Sequence, residues 1–361
     1  MNLPQPHIVQ RPALFKVLLL ALVAAAFSTT IAVKSANLPG AHPASIIFPG
    51  AEGPSARVFL EDFPNAKLPA GIGHDGQQFY AIARQPLHLN RVAPDLDRPR
   101  YRLQRIAFPL IVWMLHPQGG GKGLVTATIV VGALSLFAGG AAAGLLSLKL
   151  GGPAWPALVF ALLPGAILTM RISAADNLAL AAGLAAIAFS IGKRQRWALA
   201  AGILATLAKE STWLVLLGLA LWRRDRQGFA LAGIPALIAG AWWLALRLLV
   251  SDNRGNITEF TLPLLGLRDS VRYWMTGSTV FAYYLVPLAL GLGAWALIRV
   301  RMRHPLGPAI LLQFILLALV NLDVLGPDAN GSRVTMPVFM LGTIALASHL
   351  SKKRQENQAS S

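Results

Sequence analysis

Apolar and polar positions in this chain segregate on a scale much longer than a helical turn. Runs of roughly 20 apolar residues recur from near the start to the end, divided by short basic clusters or by stretches rich in Pro and Gly, and each run is long enough to cross a hydrocarbon core as a helix. The pattern predicts spans over 14–33, 124–148, 153–170, 174–191, 229–250, 280–298, 305–325 and 334–350. The stretch 197–222 is basic at both ends and carries Lys209 and Glu210 in its middle, which predicts a hairpin of two short helices with those residues at its tip. The apolar piece 106–115 contains Pro109 and is stopped by Pro117 and a Gly run. Its length gives only about 15 Å of helix, so it predicts a re-entrant or interfacial element rather than a crossing.

Together these elements predict an all-α membrane protein of about ten transmembrane helices, a single integral membrane domain over 1–361. A long first outer loop (34–105, or 34–122 with the re-entrant piece and its Gly linker) is expected to contain short interfacial helices. A second outer loop is expected over 251–272.

Composition narrows the class. Hydrophobic residues make up 55% of the chain and charged residues only 13%, with a mean hydropathy of +0.56. These values exclude a soluble enzyme, a disordered tail and a fibrous repeat. The net charge is +17. In a soluble chain that would suggest nucleic acid, but here the basic residues cluster between spans, at Lys193, Arg194 and Arg196, at Arg223, Arg224 and Arg226, at Arg299, Arg301 and Arg303, and at Lys352, Lys353 and Arg354. That distribution is the positive-inside pattern, and it orients the chain with both termini cytoplasmic and no nucleic-acid partner. The apolar run at 14–33 exceeds the usual core of a signal peptide, so it is read as the first span. No cysteine is present, which removes disulfide and thiolate chemistry.

The acids follow the opposite rule. Of fifteen, only Asp225 and Glu356 fall on the expected cytoplasmic side, while six lie in the first outer loop: Glu52, Glu61, Asp62, Asp75, Asp95 and Asp97. The second outer loop holds Asp252, Glu259 and Asp269 against Arg254, Arg268 and Arg272. Carboxylates therefore concentrate where outward-facing chemistry would sit.

Within the first loop, Gly73-His74-Asp75-Gly76-Gln77-Gln78-Phe79-Tyr80-Ala81-Ile82-Ala83 sets a carboxylate beside a flexible residue just before an amphipathic turn. Downstream, Tyr101 with Arg102 and Arg105 leads into the re-entrant piece and would place guanidinium forks, suited to phosphate oxygens, at headgroup depth. Each of these has a plainer reading as well. Asp-Gly is an ordinary turn pair, Glu61-Asp62 suits a solvated loop face, His74 a surface loop, and Arg102, Arg105 and Arg333 could anchor at the interface. Lys209 and Glu210, two ionisable residues in an apolar hairpin, are costly unless they pair with each other or contact substrate. Asp176, at the start of a span, suits a helix N-terminus.

The strings DGQQFYAIA and RYRLQRIAFPL resemble the first-loop signature of bacterial multi-pass proteins of the GT-C glycosyltransferase superfamily, those related to mannosyltransferases that use polyprenyl-phosphate sugars. Lys209-Glu210-Ser211-Thr212 is similar to a basic-Glu-Thr element on an internal hairpin, and Asn330-Gly331-Ser332-Arg333 to a late Arg before a final helix. The resemblance implies a GT-C-like fold in the bacterial inner membrane. It also implies transfer, with inversion, of a hexose from a polyprenyl-phosphate donor to a hydroxyl of a glycan, lipid or protein acceptor on the outer face.

Such a transfer needs a base for the acceptor proton and positive charge for the departing phosphate. Asp75 fits the base, with Glu61 and Asp62 as the alternative acids. His74, Tyr80, Arg102, Arg105, Lys209, Glu210 and Arg333 are candidates for substrate contact. A divalent cation bridging Asp75 or Asp62 to the phosphate is left open. The chain departs from the family in carrying Gln77-Gln78 after Asp-Gly and in its second acidic pair. A carrier or flippase of lipid-linked or small polar substrates is the alternative function, since ionisable residues in broken apolar helices suit transport too.

Overall fold

A computed structural model describes residues 9–37, 42–251, 258–277, 279 and 281–360. Asp252 and Arg254 of the expected second outer loop lie outside the described residues. Among those described, the chain is all-helical, apart from one isolated bridge between Phe260 and Val320.

Among the described residues, five helices are long and apolar enough to cross a membrane. They begin with α1 (Arg11–Ala36), α7 (Gly121–Lys149) and α13 (Arg226–Leu249), and end with α15 (Phe281–Val300) and α19 (Met336–Ser360). Between them lie α2 (Ala56–Asp62), α3 (Asp75–Arg84), α4 (Leu89–Val92), α5 (Pro99–Leu103) and α6 (Ala107–Leu115) in the first loop, then α8 (Pro156–Leu162), α9 (Pro164–Arg171), α10 (Asp176–Ile191), α11 (Gln195–Ala208) and α12 (Trp213–Arg223). Late in the chain come α14 (Leu265–Trp274), α16 (Gly307–Leu319), α17 (Leu322–Leu325) and α18 (Asp328–Val334).

The other stretches expected to span are shorter or broken helices, for local reasons. Pro164 has no amide hydrogen and ends α8, splitting 153–170 into α8 and α9. The carbonyl of Ala161, near this break, accepts a 2.6 Å hydrogen bond from Ser28 of α1. In 197–222, Lys209 is extended and Glu210–Thr212 forms a 3-10 turn, which separates α11 from α12 at the expected tip. The stretch 305–325 stops at Val320, whose extended backbone precedes α17.

Small residues bring the long helices together. A methyl on Gly140 of α7 would sit 2.6 Å from the Ala157 carbonyl, and one on Gly144 would sit 2.8 Å from Val17 of α1. The backbones of α1, α7 and α8 thus approach closely along Ala- and Gly-lined faces, the packing expected where lipid supplies no hydrophobic drive between helices. α10 is buried almost throughout, while Phe15, Leu19 and Phe27 of α1, Leu237 and Leu248 of α13, and Leu288 and Ile298 of α15 face outward. Such an apolar exterior around a packed interior suits hydrocarbon rather than water.

Contacts sort the helix ends into two groups. At one end, Trp222 donates to the Arg303 carbonyl at 2.8 Å, Arg223 reaches Ser190 at 2.6 Å, and His304 meets Ser348 at 3.2 Å. At the other end, the start of α10, the α11–α12 junction and α18 meet the first loop. There α3 is buried between the loop and the bundle, and α6, too short to cross, packs on α3 and α7.

Candidate functional site

At this second end the bundle encloses a cavity of about 950 Å³. One half of its wall is charged and the other is apolar, formed by Leu214, Phe260, Leu316, Val320, Val324 and Val334.

The charged half centres on Asp75, the first residue of α3, where a carboxylate complements the helix N-terminus. Gly76 is what lets it sit there: a methyl at that position would lie 2.4 Å from the Ile172 carbonyl oxygen and 2.5 Å from that of Ile47. The Asp-Gly pair therefore presses the first turn of α3 against the α9–α10 corner. One Asp75 oxygen accepts from Arg102 at 2.6 Å and the other from Arg333 at 2.8 Å. Arg333 also donates through Nε to Asp176 at 3.0 Å, and Asp176 takes the Lys209 ammonium on its other oxygen. Arg102 forks onto Asp97 at 2.8 and 2.7 Å. Arg105 forks onto Glu210 at 3.0 and 2.6 Å and donates to the Tyr101 hydroxyl at 2.5 Å.

Tyr101 lies among three guanidiniums, with Arg98 at 4.1 Å, Arg105 at 4.3 Å and Arg102 at 5.4 Å from the ring centre. Arg98 reaches Glu259 of the second loop at 3.0 Å. The Glu259 segment is itself held to the end of α16, where Asn321 N–H donates to the Glu259 carbonyl at 2.9 Å and Thr261 N–H to the Leu319 carbonyl at 2.7 Å. Every cation of the group thus has a carboxylate partner, as burial of charge requires.

The electrostatics follow from this pairing. Burial alone would raise the Asp75 carboxyl, but Arg333 and Arg102 outweigh it and hold Asp75 well below the usual carboxylate range. Asp97 behaves likewise, its burial overcome by the Arg102 fork. Burial pushes His74 below its ordinary value against the pull of Asp75, so the imidazole is neutral at pH 7. Burial raises the Tyr101 phenol, which keeps it protonated.

The structure therefore brings Asp75, Arg102, Arg105, Lys209, Glu210 and Arg333 to one cavity wall, with His74 beside them. Lys209 and Glu210 do not pair with each other; they diverge to Asp176 and Arg105. Glu61, Asp62 and Tyr80 lie apart from the cavity. Tyr80 donates to Asp62 at 2.5 Å, Arg84 bridges Glu61 at 2.6 Å and Asp62 at 3.1 Å, and Arg57 also holds Glu61. The Asp62 carboxylate packs against Gly120, where any side chain would collide with it. This second cluster ties α2 to α3 and to the start of α7. The Glu61 carboxyl is lowered chiefly by its bond from Arg84.

Sequence reasoning passed over three contributors. Asp176 was assigned only to a helix terminus, yet it is the carboxylate that joins Arg333 to Lys209. Asp97 and Glu259 were counted only among outer-loop acids. The signal for Asp97 was its spacing of five residues from Arg102; Asp176 and Glu259 find their partners only through the fold.

Among the described residues, no group of three or more His, Asp or Glu could hold a metal ion. The oxygens of Asp75 already face two guanidiniums, and Asp62 is remote from the cavity, so this donor set does not suit a bridging divalent cation. No protein-family model, curated protein or solved structure matches the chain.

Proposed function

We propose that this chain is a membrane-embedded glycosyltransferase of GT-C type, moving a hexose from a polyprenyl-phosphate donor to an acceptor hydroxyl on the outer face of a bacterial inner membrane, with inversion. In this reading the chain crosses about ten times, the shorter helices pairing with the long ones, and both termini are cytoplasmic. The observation that carries the proposal is the two-part cavity: a carboxylate flanked by guanidiniums at one side and an apolar wall at the other. A lipid phosphate has the same division into charged head and apolar tail.

The chemistry asks three things of the residues present. The acceptor oxygen attacks the anomeric carbon, the bond from that carbon to the phosphate oxygen breaks, and the acceptor proton passes to a carboxylate. Asp75 takes that proton. Arg102, Arg333 and Lys209 stabilise the phosphate as it leaves, as fixed cations facing developing charge do.

A carboxylate held far below its ordinary pKa is a poor base, and the pairing itself supplies the remedy. A donor phosphate competes with Asp75 for Arg102 and Arg333, and the guanidinium charge it draws off restores basicity to Asp75 at the moment the base is needed. A carrier's site lies near the middle of the bilayer, whereas this cavity is lined by the first loop and the helix ends that meet it.

The test is transfer of labelled hexose from polyprenyl phosphate in proteoliposomes. Wild type should transfer and Asp75→Asn should not, while remaining folded. Movement of lipid-linked substrate across the bilayer without transfer would replace this reading by the carrier.

A further inference from the structure

Beside the large cavity, and sharing Lys209, Ser211 and Arg333 with its wall, lies a chamber of about 20 Å³ lined also by Asp176, Gln313 and the apolar side chains of Leu180 and Met336. Two donors at this chamber have no hydrogen-bonding partner among the described residues: Nη1 of Arg333 and Nε2 of Gln313. Both residues are more than nine-tenths buried, at 6% and 1% exposure. Gln313 is the one amide in α16, a helix otherwise built of apolar residues with Gly and Pro at its start. A buried donor without an acceptor is costly, more so in a protein surrounded by lipid. Two such donors on one small polar chamber call for a shared acceptor.

The size of the chamber decides what that acceptor is. A single water needs about 10–15 Å³, so the chamber has room for a water and is small for a phosphate with its four oxygens. The charge around it argues against a halide, because Arg333 and Lys209 are already balanced by Asp75 and Asp176. A water can accept from both orphaned donors and turn its own hydrogens toward Asp176 and the Ser211 hydroxyl.

We infer that one ordered water joins Gln313 to Arg333, and that Gln313 is thereby a positioning residue for the Arg333 guanidinium. With the water in place, all three guanidinium nitrogens are fixed: Nε on Asp176, Nη2 shared between Asp75 and Asp176, and Nη1 on the water. Gln313, which does not line the large cavity, then sets the plane in which Arg333 faces it.

The experiment is a pair of maps of the full-length protein at a resolution that shows water, wild type and Gln313→Leu, with bromide in the buffer of a third. A peak within hydrogen-bonding distance of Gln313 Nε2 and Arg333 Nη1 in wild type, together with an Arg333 side chain rotated off Asp75 in Gln313→Leu, is the expected result. A chamber without density, a peak that gains scattering in bromide, or an amide turned to bond Arg333 directly would each overturn the water. An Arg333 that stays in place in Gln313→Leu would overturn the positioning role.

A second arm, which rests on the donor reading above, measures polyprenyl phosphate binding. Gln313→Leu should weaken it about tenfold in the wild-type background, as loss of a bond to a charged group does, and not further in Arg333→Gln. Equal losses in both backgrounds would mean that Gln313 does not act through Arg333. If wild type binds no polyprenyl phosphate, the donor reading fails while the maps still decide the water.

Discussion

Asp75 and the Glu61–Asp62 pair are both acids of the first loop, yet their partners divide their roles. Asp75 faces the large cavity between two cavity-lining arginines, while Glu61 and Asp62 are engaged by Arg57, Arg84 and Tyr80 elsewhere. Under the proposed reaction, Asp75→Asn should lower hexose transfer by at least about a hundredfold, the scale of a lost general base. Glu61→Gln should leave the rate within about threefold, since an exposed pair contributes little. Asp62→Asn should lower the melting temperature in detergent yet keep the rate per folded molecule, because it breaks a tie between helices and not a cavity contact.

The pH dependence has a definite sign. The folded Asp75 carboxyl lies below its ordinary value, so in the unliganded protein it stays ionised, and under the proposed reaction the acid limb of kcat/KM should fall below the usual carboxylate range of about pH 4. In the proposed donor complex the phosphate would draw guanidinium charge away, so the acid limb of kcat should lie higher than that of kcat/KM. Arg102→Gln should raise the kcat/KM limb toward the kcat limb. Limbs that coincide in wild type would count against the exchange of partners.

Among elements, the short α3 shows best how packing places chemistry. Its first turn can reach the α9–α10 corner only because Gly76 has no side chain there. Gly76→Ala should therefore lower both thermal stability and transfer, whereas Gly71→Ala, at a position with open space around it, should lower stability only through its left-handed backbone. The ratio of transfer to folded protein separates the two.

The long helices were legible from sequence because hydropathy and length coincide in them. α8 and α9 were less so, because an apolar window averages across Leu163-Pro164, where the backbone in fact breaks, whereas Lys209-Glu210 marks the break between α11 and α12 in the sequence itself. The residues of the charged wall stood out individually wherever a charge interrupts an apolar stretch. Their pairing did not: Asp75 with Arg333 and Asp176 with Arg333 are separated by 258 and 157 positions, and nothing local joins them. Gln313 was invisible for the opposite reason, as a single amide in a run that otherwise reads as plain core.

For the whole molecule, the sorting of helix ends into two groups makes a topological prediction. The chain has no cysteine, so single cysteines can be introduced without background. Ala70→Cys in the first loop should react with a membrane-impermeant maleimide from one side of the bilayer, and Arg196→Cys and Gln355→Cys only from the other. Labelling of all three from one side would refute both the alternation of spans and the outward placement of the cavity.

The complete pairing of cations with carboxylates in the charged wall also bears on how a ligand arrives. With its charges balanced, the site projects little field into the surrounding water and has no long-range pull on a dissolved anion. For the proposed lipid-phosphate donor, capture would instead follow from diffusion within the plane of the bilayer, which brings the headgroup to within contact distance before any charge is exchanged. The rate of productive encounter should then scale with the mole fraction of donor in the membrane and change little between low and physiological ionic strength. A site that gathered its ligand by attraction through water would slow steeply over the same range.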